Sequence, residues 1–425
     1  MNTNEKGWLK EYIEFRKDLL KDVFVGQNKK SSHPEHSLYS IIQPTGLMYG
    51  QSVGELDVPD QESWSEKDRM KVLLAESLIS SSLLFYDKPV NSPEEFSRVV
   101  SQTLESIGSF YNTIFPELAI PTKTFFGGKR SPIELAEKIL DKRVDHTDSF
   151  KGNFWTYFFH NSLLFLDIFI YGQWIHTNAD RIVADFFRYE RDELRFSVVK
   201  VISAASHANR VIAFEERRLF EFFIQSTDLS LDQKNEALRI FEEGISVEDI
   251  DLPSENSWIL KKFFLEMAIL TIWSDKVIDQ SELDFLRRFC HYLNFSDEDL
   301  DYSLVAIEGF VLEHWSQLEY LQNKKNYNEV SDMFIKRVSR IADKNKAMLM
   351  RGLQQNDVVL DLLRKARFNE LSLEEKELVR KELIQLLKSI PTLSIVSMPH
   401  HFLTLPILLK ILPKSLFAEG VDAGK

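Results

Sequence analysis

An internal repeat constrains the fold of this chain more than any other feature of its sequence. Residues 199–244 align with residues 265–310 without a gap, which places Asn209 opposite Asp275, 66 positions further on. In both copies apolar residues recur at the spacing of a helix face, in three segments separated by short turns. The sequence therefore predicts a duplicated three-helix unit at the centre of the molecule.

The second turn of each copy carries the same signal for the start of a helix. Ser230 is followed three residues later by Gln233, and Ser296 is followed at the same spacing by Asp299. In a capping box the side chain of the first residue accepts a hydrogen bond from the backbone N–H of the residue three positions later. The side chain of that later residue accepts a hydrogen bond from the backbone N–H of the first. The agreement of cap, turn and apolar face supports a true duplication.

The rest of the chain also has the composition of a helical protein. Gly and Pro are sparse, at 15 and 13 of 425 residues, whereas Phe is frequent at 32, and this balance favours long helices over a β-fold with many turns. A chain of this length exceeds what one core holds. We predict an all-α, multi-helix protein. Its expected regions are an amphipathic helix with an irregular segment (residues 1–60), a helical domain (61–195), the duplicated helical unit (196–315), a helical connector (316–388) and a C-terminal segment (389–425).

Several helices outside the repeat can be placed from their own start signals. Ser92 precedes Pro93 in the arrangement of a helix N-cap, and Ser372 stands three residues before Glu375 in a capping box. The predicted helices cover residues 66–86, 93–115, 132–140 and 154–174, and a further one runs from Ser372 to residue 387.

The predicted helix over residues 154–174 is apolar on nearly every side and is interrupted by His160, Asn161 and Asp167. A helix of this kind is buried in protein or in membrane. A carboxylate near its middle favours protein, because an unpaired charge in lipid is costly. Since buried polar groups need partners, we predict a buried polar cluster of these three side chains.

The turn between the first two helices of the second copy concentrates three carboxylates, at Asp275, Asp279 and Glu282. Hard cations such as Ca²⁺ take several oxygen ligands, so these residues are the candidate ligands of a divalent cation. Asp279 and Glu282 also have the spacing of a capping box, which explains two of the three carboxylates without a metal. We favour the capping interpretation and keep the cation site as an alternative.

The remaining motifs do not indicate catalysis. His33 and His36 flank a Pro-Glu pair, and His400 directly precedes His401, without the i, i+4 spacing or the third ligand of a zinc site. No nucleophile elbow, zinc-protease motif, P-loop or dinucleotide fingerprint occurs. The sequence therefore predicts no catalytic residue and no resident cofactor, and favours a non-enzymatic protein.

The charge pattern bears on the partners. A net charge of −13 argues against specific nucleic-acid binding, which requires a basic surface. Residues 324–381 depart from this balance, with 14 Lys and Arg against 9 Asp and Glu. Such a stretch is commonly a solvated face, and it also suits an anionic membrane or partner.

Two features bear on the compartment. Cys290 is the single cysteine and stands in a helical pattern, which favours a buried thiol in a reducing environment. Residues 1–10 are polar and lack the apolar core of a signal peptide. We therefore expect a cytoplasmic protein.

The C-terminal segment is an apolar run, residues 390–416, that prolines interrupt every seven or eight residues. A membrane-spanning helix needs about 20 continuous apolar residues, and a proline leaves one carbonyl without a hydrogen bond. The pattern favours a short helical hairpin that packs against the body or lies at a membrane surface.

Two parts of the chain resemble known families. The repeat, with the pattern Asp-x-x-Ile-Asp-x-x-Glu over residues 275–282, resembles the tellurite-resistance TerB-like helical domain. The proline register of residues 386–413 resembles the conserved segment of LETM proteins, which are linked to cation/proton exchange and ribosome binding. Together the two parts are similar to the LETM-related, biofilm-associated proteins of bacteria.

Three functional hypotheses follow. The leading one is a non-enzymatic intracellular scaffold or stress-response protein with protein partners, at the inner face of the membrane or free of it, and its link to biofilm is implied by the resemblance alone. The second is a membrane-associated, cation-handling protein that contacts the bilayer through residues 390–416. The third is a divalent-cation sensor that uses Asp275, Asp279 and Glu282.

Overall fold

The structure, a computed structural model, describes sixteen stretches of the chain. These are residues 2–16, 33–50, 58, 61–84, 92–123, 128–148, 154–175, 177, 181–208, 220–221, 224, 229–252, 257–273, 278–318, 326–366 and 370–417. Within these stretches the regular structure is helical, and the β-type pairing is one isolated bridge between Lys123 and Lys129. The predicted all-α fold class is confirmed.

The chain divides into two compact units, residues 1–267 and residues 268–425. The boundary falls near the start of the second copy of the sequence repeat. The five regions expected from the sequence stay predictions.

The first unit is built from helices of very different length. After a helical segment over residues 8–16 come α1 (Pro34–Ile42), α2 (Glu66–Leu84), α3 (Pro93–Ile114), α4 (Pro132–Asp148), α5 (Phe154–Trp174), α6 (Arg181–Ser206), α7 (Leu231–Glu243) and α8 (Trp258–Trp273), which runs past the unit boundary. Helix α5 contacts α2, α6 and the short 3₁₀ turn Leu47–Tyr49. Its side chains from residue 161 to residue 172 are all buried, as the sequence predicts.

The helix boundaries in this unit follow the local signals with one clear difference. The Ser92 side chain accepts a hydrogen bond from the Glu95 backbone at 3.1 Å, which confirms the predicted cap of α3. Helix α4 was predicted to end near residue 140 and extends to Asp148. The reason is that its apolar face continues through Val144, which is buried.

The second unit contains shorter helices. They are α9 (Gln280–Tyr292), α10 (Asp297–Glu313), α11 (Tyr327–Lys344), α12 (Lys346–Gln354), α13 (Asp357–Ala366), α14 (Leu373–Lys388) and α15 (Leu405–Ile411). Helix α10 packs against α9 and α11, and α15 packs against α11 and α14. The capping box predicted at Ser372 and Glu375 is present at the start of α14.

The C-terminal segment folds onto this unit. After α14 it passes through turns and bends over residues 389–404, then forms α15 and a last helical turn over residues 414–417. Within residues 390–416, where the sequence predicts a helical hairpin, the regular structure is therefore α15 and the start of this last turn. Its apolar side chains Leu393, Met398, Leu403 and Leu408 are buried. A Cβ atom on Gly309 of α10 would lie 3.3 Å from Phe334 and from Pro399, so the glycine permits the close approach of this segment. None of the helices described is long and apolar enough to cross a bilayer.

The duplication itself stays a prediction. Both Ser230 and Ser296 form complete capping boxes, and the helices that follow begin at Leu231 and at Asp297, at the predicted offset. The first turn of each copy, with Asn209 and Asp275, lies outside the described residues. The two copies therefore agree at the second turn.

Candidate functional site

A groove in the second unit, bounded by α9, α10 and α11, is the site of greatest functional interest. It encloses about 470 Å³, a volume in the range of small-molecule sites. We call the apolar side chains of its lining the floor and the charged ones the walls. The floor is lined by Ile278, Leu283, Leu300, Leu304 and Met333, and the walls by Arg287, Asp297, Asp301, Glu308, Arg337, Arg340 and Lys344.

Helical periodicity brings these residues to one surface. On α10, Leu300 and Leu304 lie one turn apart, and Glu308 follows one turn later. On α11, Arg340 and Lys344 are also one turn apart. Because α10 packs against α11, these residues of the two helices line the same groove.

The inner wall of the groove is a buried ion network. The Arg337 guanidinium donates to both oxygens of Glu308, at 3.3 and 3.2 Å, and to Asp301 at 2.7 Å. Glu308 is only 2% exposed. Burial raises the pKa of Glu308, and the facing Arg337 opposes that shift. Because each of the three guanidinium nitrogens of Arg337 donates to a carboxylate of α10, this network holds α11 on α10.

The outer cations of the groove are held much more weakly. Arg340 lies 3.5 Å from Asp301 and its side chain is 52% exposed, and Lys344 lies 2.8 Å from the exposed Glu298. Arg287 lies 3.4 Å from Asp284, also at the surface. Exposed ion pairs of this kind contribute little free energy. These cations can therefore exchange their present partners for an anion at small cost.

The turn with the candidate cation ligands caps a helix, as the favoured interpretation of the sequence predicts. The Asp279 carboxylate accepts from the Glu282 backbone at 2.9 Å, and the Glu282 carboxylate accepts from the Asp279 backbone at 2.8 Å. Asp275 lies outside the described residues. Among the residues that the structure describes, no three Asp, Glu, His or Cys side chains are placed to hold a metal ion. A cation site that includes Asp275 stays a prediction.

The histidine pair near the N-terminus lies at the start of α8. Between the two histidines, Glu35 accepts hydrogen bonds from the Ser257 hydroxyl at 2.9 Å and from the Ile259 backbone at 3.1 Å, so it caps this helix from a distant part of the chain. The His36 ring packs on Trp258, with centroids 4.2 Å apart. Burial lowers the pKa of His36. His36 therefore packs on α8, whereas His33 is exposed.

The C-terminal histidine pair joins the tail to α10. The His401 backbone and its Nδ1 atom contact the two oxygens of Glu313, at 2.9 and 2.8 Å. Burial lowers the pKa of the neighbouring His400. Cys290, also in this unit, is a buried thiol whose Sγ lies 3.1 Å from the Ser296 carbonyl oxygen.

The polar residues of α5 have separate partners. Asp167 accepts from Arg143 at 2.6 Å and from the Tyr111 hydroxyl at 3.0 Å. Asn161 instead donates to the Gly50 carbonyl at 3.2 Å. The predicted cluster is thus wrong for these two side chains, because other elements supply their partners. The side chain of His160 lies outside the described residues.

A second buried carboxylate, Glu266 on α8, was not identified from the sequence. It accepts from the hydroxyls of Tyr39 and Tyr49 at 2.7 and 2.8 Å, and Lys262 lies 3.7 Å away. Burial raises the pKa of Glu266. The tyrosines stand more than two hundred residues earlier in the chain, so no local pattern could indicate this network.

The groove also went unrecognised in the sequence, although one signal pointed toward it. The basic stretch over residues 324–381 includes Arg337, Arg340 and Lys344, which line one wall. Comparison of the chain with protein-family models, with curated proteins and with solved structures found no match.

Proposed function

We propose that this chain is a non-enzymatic helical scaffold and that the groove of the second unit binds an anionic partner. The observation that carries the proposal is the pair of weakly held cations, Arg340 and Lys344, on a wall whose inner Arg337 is already neutralised. The basic stretch of the sequence suits the same kind of partner. The proposed cytoplasmic location and the proposed link to biofilm rest on the sequence and on the family resemblance.

The proposal treats the C-terminal segment as part of the fold. Leu403 and Leu408 are fully buried in the second unit, where they cannot also insert into a bilayer. We therefore do not propose a membrane contact through residues 390–416.

A charge reversal in the groove tests the proposal in the native host. Arg340→Glu should lower biofilm mass toward that of a deletion strain, because it repels an anionic partner. Arg364→Glu is the matched control, since Arg364 is an exposed residue of the same unit with an Asp361 partner at 3.1 Å, outside the groove. Equal melting temperatures of the two purified variants would show that folding is unaffected.

Two results would refute this function. One is a wild-type biofilm in the Arg340→Glu strain together with a reduced biofilm in the deletion strain. The other is specific turnover by the purified protein in a broad hydrolase screen, which would make it an enzyme.

A further inference from the structure

We propose that the groove of the second unit binds a small amphipathic anion. The apolar body of this ligand lies on the apolar floor of the groove, and its anionic head lies at Arg340. This inference rests on the proposed function and names the chemistry of the partner.

The shape of the floor favours a small molecule over a peptide helix. A bound helix presents apolar anchors over several turns and needs a correspondingly long apolar strip. On α10 the strip is limited to Leu300 and Leu304, one turn apart and each 3% exposed, before Glu308. The half-buried members of the floor lie outside α10 and are Ile278, Leu283 and Met333. A short apolar floor in a cavity of about 470 Å³ matches a small ligand instead.

The charges place the anionic head at Arg340. Asp301 is shared between Arg337 at 2.7 Å and Arg340 at 3.5 Å. If Arg340 turns to a ligand, Asp301 keeps its shorter bond to Arg337, so no carboxylate is left without a partner. Lys344 lies one turn further along α11 and adds a second positive charge to the same wall.

The side chains that line the groove include more cations than carboxylates, although the protein as a whole is acidic. The described lining carries four cationic side chains against three carboxylates, whereas the whole chain has a net charge of −13. Both carboxylate oxygens of Glu308 are already bound by Arg337, at 3.3 and 3.2 Å. The exposed charges of the lining are the cations Arg287, Arg340 and Lys344, together with Asp297, which lies 3.1 Å from His291. This balance favours an anion over a cationic amphiphile.

Calorimetry of the full chain with four probes tests this inference. Decanoate and decyl phosphate carry an apolar body with a carboxylate or a phosphate head, decylammonium reverses the charge, and inorganic phosphate lacks the body. We expect saturable binding of at least one ten-carbon anion below its micellar concentration. Decylammonium and inorganic phosphate should bind at least about tenfold more weakly, a factor that corresponds to about 1.4 kcal/mol.

Two variants locate the binding. Arg340→Glu should weaken the bound anion about tenfold or more, while Arg364→Glu should leave its affinity unchanged. Met333 is a half-buried residue of the floor, so Met333→Trp should fill part of the groove and reduce the binding of either anion. Melting temperatures report whether each variant is folded.

The inference is overturned if no probe binds, if decylammonium binds as well as the anions, or if Arg340→Glu binds like the wild type. A biofilm defect of Arg340→Glu without binding of either ten-carbon anion would mean that the partner is a macromolecule such as an acidic helix. That result would reject the small ligand and leave the scaffold function standing. Binding of the anions without a biofilm defect of Arg340→Glu would support the small ligand and reject the scaffold function.

Discussion

At the scale of the residue, two arginines on one helix have opposite roles. Arg337 and Arg340 both approach Asp301, but only Arg337 also holds Glu308. The difference is burial, because the Arg337 side chain is 17% exposed and that of Arg340 is 52% exposed. A buried pair that loses one member leaves an uncompensated charge, whereas an exposed pair is replaced by water.

Arg337→Ala should therefore lower the free energy of unfolding of the second unit by about 3–5 kcal/mol, because Glu308 is left buried and charged. Arg340→Ala should change it by less than about 1 kcal/mol. Differential scanning calorimetry of the full chain measures both. Adding Glu308→Gln to Arg337→Ala should recover part of the loss, and equal losses for the two arginines would contradict the network described here.

A buried carboxylate in the first unit predicts a pH dependence. Glu76 accepts a hydrogen bond from the Tyr12 hydroxyl, and Arg16 lies 2.8 Å away, yet burial raises the pKa of Glu76 from 4.5 to about 7. Between these two values the folded protein keeps the proton and the unfolded chain releases it. The contribution of Glu76 to stability is therefore fully present below about pH 4.5 and is lost as the pH rises through about 7.

The comparison that isolates this effect is wild type against Glu76→Gln. The stability of the wild type relative to the variant should fall with rising pH between 4.5 and 7, by at most about 1.4 kcal/mol per pH unit. Melting temperatures of both proteins across this range give the result. Parallel curves would mean that Glu76 has an ordinary pKa in the folded state.

At the scale of the element, four helix starts in this protein are determined by residues next to them in the sequence, whereas the start of α8 is capped by the distant Glu35. The caps at Ser92, Ser230, Ser296 and Ser372 all form as their spacing predicts. Each depends on contacts within three positions of the chain, so no tertiary information is needed. The end of α4 depends on burial of Val144 by other elements, and the sequence placed it too early.

Substitution of Asp279 separates a cap from a metal ligand. Asp279→Ala should lower the stability of the second unit by about 1 kcal/mol, whereas Asp279→Ser should retain most of it, because serine is an equally good N-cap. Thermal unfolding of both variants makes the measurement. If calcium stabilised the wild type and neither variant responded to it, Asp279 would be a ligand after all.

At the scale of the whole molecule, the question is whether the C-terminal segment belongs to the protein core or lies at a membrane surface. Leu408 and Leu409 are neighbours on α15 and differ in environment, since Leu408 is fully buried and Leu409 is 41% exposed. A comparison of the stability effects of substituting each leucine therefore shows whether this segment is part of the protein core.

Leu408→Ala should lower the free energy of unfolding of the second unit by about 2–5 kcal/mol, because it opens a cavity. Leu409→Ala should change it by less than about 0.5 kcal/mol. Calorimetry in the absence of lipid is the measurement. Similar small effects at both positions would indicate that the segment is not packed in the folded protein, and would reopen its assignment to a membrane surface.

The sequence by itself determined the helical class, the capped helix starts and the burial of α5. These properties depend on residues one to four positions apart, whose relation is the same in any helix. Only the tertiary structure decided the chemistry of the interior. Arg337 meets Glu308 across 29 positions, and Tyr39 meets Glu266 across 227, because helix packing chooses which faces touch. The groove arises in the same way, from three helix faces that no local pattern joins.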